Sequence, residues 1–338
     1  MSFTNRPSTA QRTRLNEHRS VNTGQCARQN AWRGGTPPSE SNETTPRAIP
    51  TGLRDFDGFS KYKKIISPSN FFYFLEKNKK KIKYIFHLGA ITATTSLDFK
   101  KLLKNNLEFS IKILKFCTNN KIGFIYASSA STYGDGSNGF NDNENYVYLN
   151  KLKPLNLYGR SKHFFDLYIS EKVKKKKLPV QWVGLKFFNV YGKNEKHKKK
   201  QMSIISYLTP LINKNQKINL FKSHNKNFKD GEQKRDFIHV SDCISVILWF
   251  YKNKKISGLF NVGTGKARTF LDIIKILFKQ LNKKEKINFI DTPKNIRKHY
   301  QYFTEANINK LRKYGYKKKF KDIEDGIKLF VKKNKKNY

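Results

Sequence analysis

The segment Tyr126-Ala-Ser-Ser-Ala-Ser-Thr-Tyr-Gly134 closes the apolar run 122–127, and Tyr158-Gly-Arg-Ser-Lys162 opens the helical pattern of residues 157–175. The apolar run predicts a buried strand, and the serines and the glycine behind it predict a turn. A strand, a polar turn and a helix in this order are typical of α/β proteins. These two segments therefore predict a parallel sheet with a cluster of polar groups at the end of one strand.

The residues at that strand end have the chemistry of a proton-transfer site. Side chains at positions i and i+4 share one face of a helix, so Tyr158 and Lys162 point into one site. A nearby cation favours the phenolate of a tyrosine, whose free pKa is about 10, and this makes Tyr158 a usable acid/base near neutral pH. The hydroxyl of Ser129 can hydrogen-bond the same substrate oxygen. An ordinary amphipathic helix is the alternative interpretation of the Tyr/Lys pair alone.

Strands and helices alternate on both sides of this segment, which predicts parallel strands covered by helices. Ligands of such sheets bind at the carboxyl ends of the strands, where Gly89, Ser129 and Asn189 all fall. In the first half the predicted strands are 83–88, 122–127 and 180–188, and the predicted helices are 98–120 and 157–175. In the second half the pattern predicts a helix over 201–214 with a kink or break at Pro210, a strand over 235–240, a helix over 241–252, a strand and turn over 258–265, and a helix from Thr269 to about 281.

Composition excludes several classes of protein. The formal net charge is +44, but the excess is nearly all lysine spread over every helix and loop, without an arginine-rich arm, so nucleic-acid binding is not expected. The three cysteines are isolated, which favours a reducing compartment, and the seven histidines have no metal-binding spacing. The longest apolar runs are too short to span a bilayer. We therefore expect a cytoplasmic protein that binds no metal, nucleic acid or membrane.

The first part of the chain has a different composition. The first sixty residues hold eight arginines and no lysine, with many Ser, Thr, Pro and Gly. Residues 1–52 are therefore expected to be disordered and unrelated to the rest. An organelle transit peptide and a fused upstream segment are both compatible with this composition, so organelle import stays open.

Taken together, the motifs resemble the ADP-L-glycero-D-manno-heptose 6-epimerases, which are extended short-chain dehydrogenases/reductases of the NAD-dependent epimerase/dehydratase family. The resemblance covers residues from about 65 to 335. It rests on 85–95, 126–134, 155–162, 187–192, 234–240, 260–265 and 299–304, and His197-Lys198 together with Tyr300-Gln301 point to the heptose enzymes in particular. The family is active in the synthesis of lipopolysaccharide core precursors.

The resemblance implies the reaction and the roles of the residues that carry it. In the family, hydride is removed from C6 of the heptose and returned to the opposite face, with NADP (NAD being possible) as the cofactor. By position, Tyr158 and Lys198 are the two acid/base groups and Ser129 holds the reacting oxygen. Lys162 lowers the tyrosine pKa and holds the nicotinamide ribose.

The same resemblance implies the binding residues. The cofactor is lined by Leu88, Gly89, Ala90, Ile91, Thr92, Asn105, Lys162 and Val190. The nucleotide sugar is held by Asn189, Gln201, Phe221, Arg235 and Tyr300. Arg235 suits a pyrophosphate because its guanidinium donates two parallel hydrogen bonds. A homo-oligomer is also expected.

The chain departs from the family at its start. The family opens with a strand, a GxxGxxG turn and a helix that bind the cofactor pyrophosphate, and no such unit is found here. We therefore expect an α/β fold with an incomplete Rossmann-type parallel sheet, helices on both faces and a smaller mixed substrate domain. The expected domains are 53–195 with 236–262 for the cofactor, and 196–235 with 263–338 for the substrate. Weak cofactor binding and uncovered apolar faces at Phe86 and Ile125 should follow.

Two alternative functions remain open from the sequence. The first is another sugar-nucleotide epimerase or dehydratase that acts on a UDP- or dTDP-sugar. A dehydratase usually has an acidic pair after the strand-end serine. This chain has Ala130-Ser131 there, which disfavours a dehydratase. The second is a non-catalytic basic binding protein, whose retention on nucleic acid would be sensitive to salt.

Overall fold

In a computed structural model of the protein, residues 65–94, 96–297 and 300–334 are described. Their central element is a four-stranded, all-parallel sheet with the strand order β1-β2-β3-β7. Its strands are β1 (Tyr84–His87), β2 (Gly123–Ser129), β3 (Trp182–Phe187) and β7 (Gly258–Val262). Each predicted strand is confirmed, within a few residues at its ends.

The helices that accompany this sheet follow the expected alternation. They are α1 (Phe71–Asn78), α2 (Phe99–Leu102), α3 (Phe109–Asn119), α4 (Tyr146–Lys151), α5 (Leu157–Lys174) and α7 (Val240–Lys252). A π-helical segment, Leu103–Glu108, joins α2 to α3, so the predicted helix over 98–120 is continuous but not uniform. Helix α5 carries both members of the predicted Tyr/Lys pair.

Two smaller sheets complete the described residues. Strand β4 (Asn189–Tyr191) pairs in parallel with β6 (Lys234–His239), which pairs antiparallel with β8 (Ala267–Thr269), and β5 (Ile218–Phe221) pairs in parallel with β9 (Ile287–Ile290). The remaining helices are α6 (Ile204–Asn213), α8 (Phe270–Gln280), α9 (Lys294–Arg297), α10 (Asn309–Lys313) and α11 (Ile323–Asn334). The expected smaller mixed region is therefore present, while the domain boundaries stay a prediction.

The pleat of β2 divides the core between the two faces of the main sheet. Phe124 and Tyr126 pack with α1, α3 and α5 on one face, whereas Ile125 packs with β3, α7 and α10 on the other. Alternate residues of a strand point to opposite faces, which explains the division. The helices thus cover both faces, as expected for a Rossmann-like sheet.

Three details differ from, or lie outside, the sequence expectations. Ile125 is 0 % exposed, so the prediction that its face is uncovered is wrong, because α7 covers it; Phe86 is 39 % exposed, as expected. Helix α6 begins after a 3-10 turn and continues past Pro210 to Asn213, so of the predicted kink or break the break is wrong, while the kink stays a prediction. Residues 1–52, which were predicted to be disordered, lie outside the described residues. The part of the chain in which the sequence lacks a glycine-rich turn lies outside them as well. Within the described ranges, no helix is long and apolar enough to cross a bilayer.

Candidate active site

The deep wall of the site, which we define as Ser129, Tyr158 and Lys162, lies at the carboxyl end of β2. Ser129 is the last residue of β2, and its hydroxyl accepts a hydrogen bond from the Ser131 hydroxyl at 2.9 Å. Tyr158 is buried and makes a side-chain hydrogen bond with Ser129. Lys162 is 4 % exposed, and its Nζ donates to the Ala127 carbonyl at 2.7 Å. The structure thus brings together the three residues of the proposed proton-transfer group.

Burial dominates the electrostatics of the deep wall. Desolvation raises the pKa of Tyr158, and the hydrogen bond with Ser129 acts in the opposite direction. Desolvation also lowers the pKa of Lys162 to about 8, against the attraction of the Asp166 carboxylate. The net shift of the Tyr158 pKa is therefore upward, because loss of hydration dominates it, and the expectation that Lys162 lowers this pKa stays a prediction.

The start of α5 is fitted closely to the turn behind Ser129. Asn156 caps the helix, and its side-chain oxygen accepts the Gly159 amide at 2.7 Å. A Cβ on Gly159 would lie 2.8 Å from the Ser131 carbonyl oxygen, closer than packed atoms approach. Glycine at this position lets the first turn of α5 press Tyr158 against the strand end.

The loop predicted to line the cofactor, Leu88–Thr92, follows β1 at the same rim of the sheet. Leu88, Gly89 and Thr92 are exposed, and a Cβ on Gly89 would meet nothing within 4 Å. Sequence reasoning chose Asn105 beside this loop, but Asn105 is exposed and donates its amide to the Lys101 carbonyl. The loop is therefore open toward the space in front of the sheet.

Asn106, which sequence reasoning missed, holds this loop. Its side-chain oxygen accepts the Ile91 amide at 2.9 Å, and its Nδ2 donates to the Ile91 carbonyl at 2.9 Å and to the Ser161 hydroxyl at 3.0 Å. Ser161 in turn donates to the Tyr158 carbonyl. Two asparagines in succession gave no sequence signal to separate them, and only the helix phase shows that the second one is buried.

Asn189 and Val190 begin β4, beyond the end of β3. Nδ2 of Asn189 is buried and has no hydrogen-bond partner among the described residues. A buried polar group without a partner is costly, so an unpaired donor at a strand end is a position where a ligand acceptor would be favoured. Val190 is half-buried and packs against the core on the α7 side of the sheet.

The outer wall, which we define as Lys198 and Gln201, lies in the 3-10 turn Lys196–Gln201. The Lys198 side chain is 40 % exposed, and its Nζ lies 3.5 Å from the Glu195 carboxylate. Glu195, a second residue that sequence reasoning missed, is buried and accepts hydrogen bonds from Gly192, Ser203 and Ser206. It orders the turn, while Lys198 and the half-buried Gln201 remain at its surface.

Three of the predicted substrate residues form a cluster of their own. Arg235 is buried, with its guanidinium carbon 5.6 Å from the Phe270 ring centre and 6.0 Å from that of Tyr300. The Tyr300 ring lies 6.2 Å from the ring of Phe221. Arg235 is thus a buried cation that lies beside two aromatic rings.

A short segment ties this cluster to the deep wall. Gln301 donates its side-chain amide to the Gly134 carbonyl, just behind the Ser129 turn, and its own carbonyl accepts from Arg235. A cavity of about 370 Å³ lies elsewhere, between α6, α8 and α11, and is lined by none of the predicted site residues.

The described residues fit one half of a nicotinamide dinucleotide. The buried Lys162, the exposed loop over Leu88–Thr92 and the unpaired Nδ2 of Asn189 offer donors and open space at one rim. A glycine-rich turn for the pyrophosphate is not found among the residues that the structure describes. The fit therefore applies to the nicotinamide-ribose end.

Comparisons with known proteins agree with this geometry. Residues 64–263 match the model of the NAD dependent epimerase/dehydratase family. The ADP-L-glycero-D-manno-heptose-6-epimerase of Fusobacterium nucleatum is 42 % identical over 262 residues, which are 76 % of this chain and 78 % of that protein.

Solved structures show the same fold. The ADP-L-glycero-D-manno-heptose-6-epimerase of Helicobacter pylori is 28 % identical, with a TM-score of 0.62, and the match covers 79 % of this chain and 76 % of that one. The UDP-glucuronic acid 4-epimerase of Bacillus cereus, in complex with UDP-glucuronic acid and NAD, has a TM-score of 0.62 at 24 % identity, over 78 % and 79 % of the two chains. At that identity the second likeness concerns the fold alone.

Proposed function

Since the chain belongs to the NAD-dependent epimerase/dehydratase family, we propose that this sugar-nucleotide epimerase inverts C6 of an ADP-heptose with NADP as its cofactor. The observation that carries the proposal is the deep wall, in which Tyr158 interacts with Ser129 and lies one helical turn before Lys162 on α5. The named relatives support the ADP-heptose, because they are about two-fifths identical over three quarters of this chain.

Inversion of a carbon that carries one hydrogen requires the hydrogen to leave one face and return to the other. The chemistry supplied by NADP, when bound, is reversible acceptance of that hydride. The chain itself must take the hydroxyl proton when the carbon is oxidised and return a proton when it is reduced. Two acid/base groups on opposite sides of the sugar would serve the two faces.

We assign these two roles to Tyr158 and Lys198. Tyr158 lies in the buried deep wall, hydrogen-bonded to Ser129, so its phenol oxygen can exchange a proton with a substrate oxygen there. Lys198 lies on the exposed outer wall, where it exchanges protons with water as well as with substrate. Lys162 is proposed to hold the nicotinamide ribose and to keep the phenolate accessible by its charge.

The substrate roles follow from charge and ring contacts. Arg235 would donate its guanidinium fork to the substrate pyrophosphate, and the Tyr300 and Phe221 rings beside it would flank the nucleotide. Asn189 would donate its unpaired Nδ2, and Gln201 would reach the sugar from the outer wall. The lysine-rich surface attracts an anionic substrate. The expected NADP preference over NAD, homo-oligomer and cytoplasmic location stay predictions.

The test is product analysis of the purified chain with NADP. Incubation with an ADP-heptose of one C6 configuration should give the other configuration, resolved by proton NMR of the sugar. UDP-galactose in a parallel reaction should remain unchanged. Turnover of UDP-galactose with none of the ADP-heptose would replace the proposal by a UDP-sugar epimerase.

A further inference from the structure

A fully buried ion pair lies beneath the deep wall and has no part in the proton transfers described above. It joins Lys186, near the carboxyl end of β3, to Asp166 on α5, with an Nζ–Oδ2 distance of 2.6 Å. Both side chains are 0 % exposed. Neither residue was singled out by the sequence motifs.

The remaining polar atoms of the pair are all satisfied by the strand end and the turn of the site. Asp166 accepts the Tyr126 hydroxyl at 3.0 Å and the Ser128 hydroxyl at 2.7 Å, and both donors are on β2. Lys186 donates to the Thr132 hydroxyl at 2.8 Å, and its Nζ lies 4.8 Å from the Tyr133 ring centre. The charge pair therefore lies at the point where four elements meet: strands β2 and β3, the turn over 130–133 and helix α5.

This meeting point is close in sequence to two members of the deep wall, Ser129 and Lys162. Ser128 precedes Ser129, and the Ala127 carbonyl that accepts from Lys162 precedes Ser128. Asp166 lies one helical turn after Lys162, on the same face of α5. A shift of the pair would move the strand end and the helix relative to each other.

Stability alone does not account for such a pair. The desolvation of two buried charges usually cancels most of their attraction, and apolar residues of similar volume are often as stable or more so. A buried charge that has every hydrogen bond satisfied is, however, well suited to fix one geometry.

We propose that Asp166 and Lys186 are positioning residues of the site: the pair locks the strand end that carries Ser129 against the helix that carries Tyr158 and Lys162, and the Asp166 carboxylate keeps Lys162 protonated. The proposal rests on the proposed function for its catalytic meaning. Its structural part concerns the charge of Lys162 and is measurable without turnover.

The charged and titratable groups around Lys162 are consistent with this role. From α5 it faces Asp166 and Tyr158, from β1 it faces His87, and the Lys186 ammonium on β3 lies beyond the Asp166 carboxylate, with which it is paired. Burial lowers the pKa of Lys162 to about 8, and Asp166 opposes that shift. Loss of the carboxylate should therefore leave Lys162 neutral near physiological pH.

The test uses Asp166→Asn alone and the neutral pair Asp166→Asn/Lys186→Gln, which avoids an uncompensated buried charge. The titration of Lys162 is followed by the chemical shift of its ε-carbon in ¹³C-lysine-labelled protein, assigned by the loss of the signal in Lys162→Arg. In both variants the midpoint should fall by about one pH unit. The alkaline limit of epimerase activity should fall with it.

Asp242→Asn is the matched control. It removes a buried carboxylate from a different ion pair, with Lys321, and should leave the midpoint unchanged.

The outcomes separate the two proposals. A folded double variant with an unchanged Lys162 midpoint would overturn the positioning role, and so would lost activity without a displaced midpoint. A displaced midpoint in a protein that epimerises no sugar would instead support the positioning role and contradict the proposed function. If the double variant does not fold, Lys186→Arg decides: the cation is retained, so an altered midpoint there would count against the proposal.

Discussion

The two walls of the candidate site are built in opposite ways. The deep wall is buried, and each of its side chains is tied to backbone or to a neighbouring side chain, as Lys162 is to the Ala127 carbonyl at 2.7 Å. The outer wall carries Lys198 on a short 3-10 turn with its side chain 40 % exposed and 3.5 Å from a single carboxylate. Desolvation changes the pKa values of the deep wall, whereas water screens the outer wall.

The difference in burial between the two walls predicts a difference in how strongly the reaction depends on each. A buried acid/base has few competing proton donors, so its loss cannot be compensated by solvent. Water can donate and accept protons in place of an exposed acid/base group, so the loss of such a group should reduce the rate less. Substitutions on the two walls should therefore differ in size as well as in kind, and the following experiments test that comparison.

The largest effect is expected for Tyr158→Phe. The ring and its packing are retained, but the transferable proton is lost, so epimerisation should fall on the order of 10²-fold or more. The measurement is the rate of ADP-heptose epimerisation under saturating cofactor. Tyr168→Phe is the control, since Tyr168 lies on the same helix with Lys172 over its ring and away from the strand end. Wild-type rates in Tyr158→Phe would exclude the mechanism.

Lys162→Met should have the next largest effect, roughly tenfold to a hundredfold at neutral pH. The phenolate of Tyr158 loses its cation, so the remaining activity should appear at higher pH. In the wild type, a lysine loses its charge as the pH rises through its pKa, and activity should decline above pH about 8. The variant should lack this decline.

The pH–rate profiles of wild type, Lys162→Met and Lys172→Met give the measurement. Lys172 is half-buried in the last turn of α5, and its substitution should leave the profile unchanged. Coincident profiles for wild type and Lys162→Met would contradict the role of Lys162.

The sequence could predict the deep wall but not its electrostatics. The i, i+4 spacing of Tyr158 and Lys162 and the serines at the end of β2 determine which side chains meet, and these relations are local. The sign of the Tyr158 pKa shift depends on how deeply the fold buries its side chain, which the spacing of residues within α5 does not show. Local spacing therefore identified Lys162 as the partner of Tyr158, but it did not show that burial removes the hydration of the Tyr158 phenol.

The residues that sequence reasoning missed share one property. Asn106, Asp166, Lys186 and Glu195 are buried polar groups whose partners come from other elements. A lysine within an apolar strand, such as Lys186, is the only one that breaks its local pattern and could have drawn attention. Similarly, Ile125 was expected to be uncovered because the family's first strand–turn–helix unit is not found in the sequence, and the local pattern did not show that α7 covers this face.

Lys198→Ala should have a smaller effect than either substitution on the deep wall. Because Lys198 is exposed, water can replace it in part, and we expect a loss of epimerisation of about tenfold. Cofactor binding should remain largely intact, as measured by calorimetric titration with NADP. Lys193→Ala, an exposed lysine just before Glu195, serves as the control. A loss as large as that of Tyr158→Phe would show that the two walls are equally shielded from solvent.

The smallest effect concerns stability rather than rate, and it tests whether the deep wall is as desolvated as proposed. His163 follows Lys162 on α5, is buried, and its Nδ1 has no hydrogen-bond partner among the described residues. Desolvation lowers its pKa to about 4, whereas the ordinary value is 6.5. Between these values the unfolded chain binds more protons than the folded one. The free energy of unfolding therefore rises with pH over this window and is lost as the pH falls through it.

His163→Phe should remove this contribution and no other. The slope of the unfolding free energy between pH 4 and 6.5 should decrease by up to about 1.4 kcal/mol per pH unit, the value for one proton. Near neutral pH the variant should be about 1 kcal/mol more stable, since an unpaired buried polar atom is replaced by an apolar ring. Urea unfolding at several pH values measures both, and His197→Phe, whose ring is exposed, should leave the slope unchanged. His87, whose pKa burial also lowers to about 4, remains in the variant, so part of the acid sensitivity must persist. An unaltered slope in His163→Phe would mean that water reaches α5 behind Lys162, and the contrast between the two walls would then have to be explained by hydrogen bonding alone.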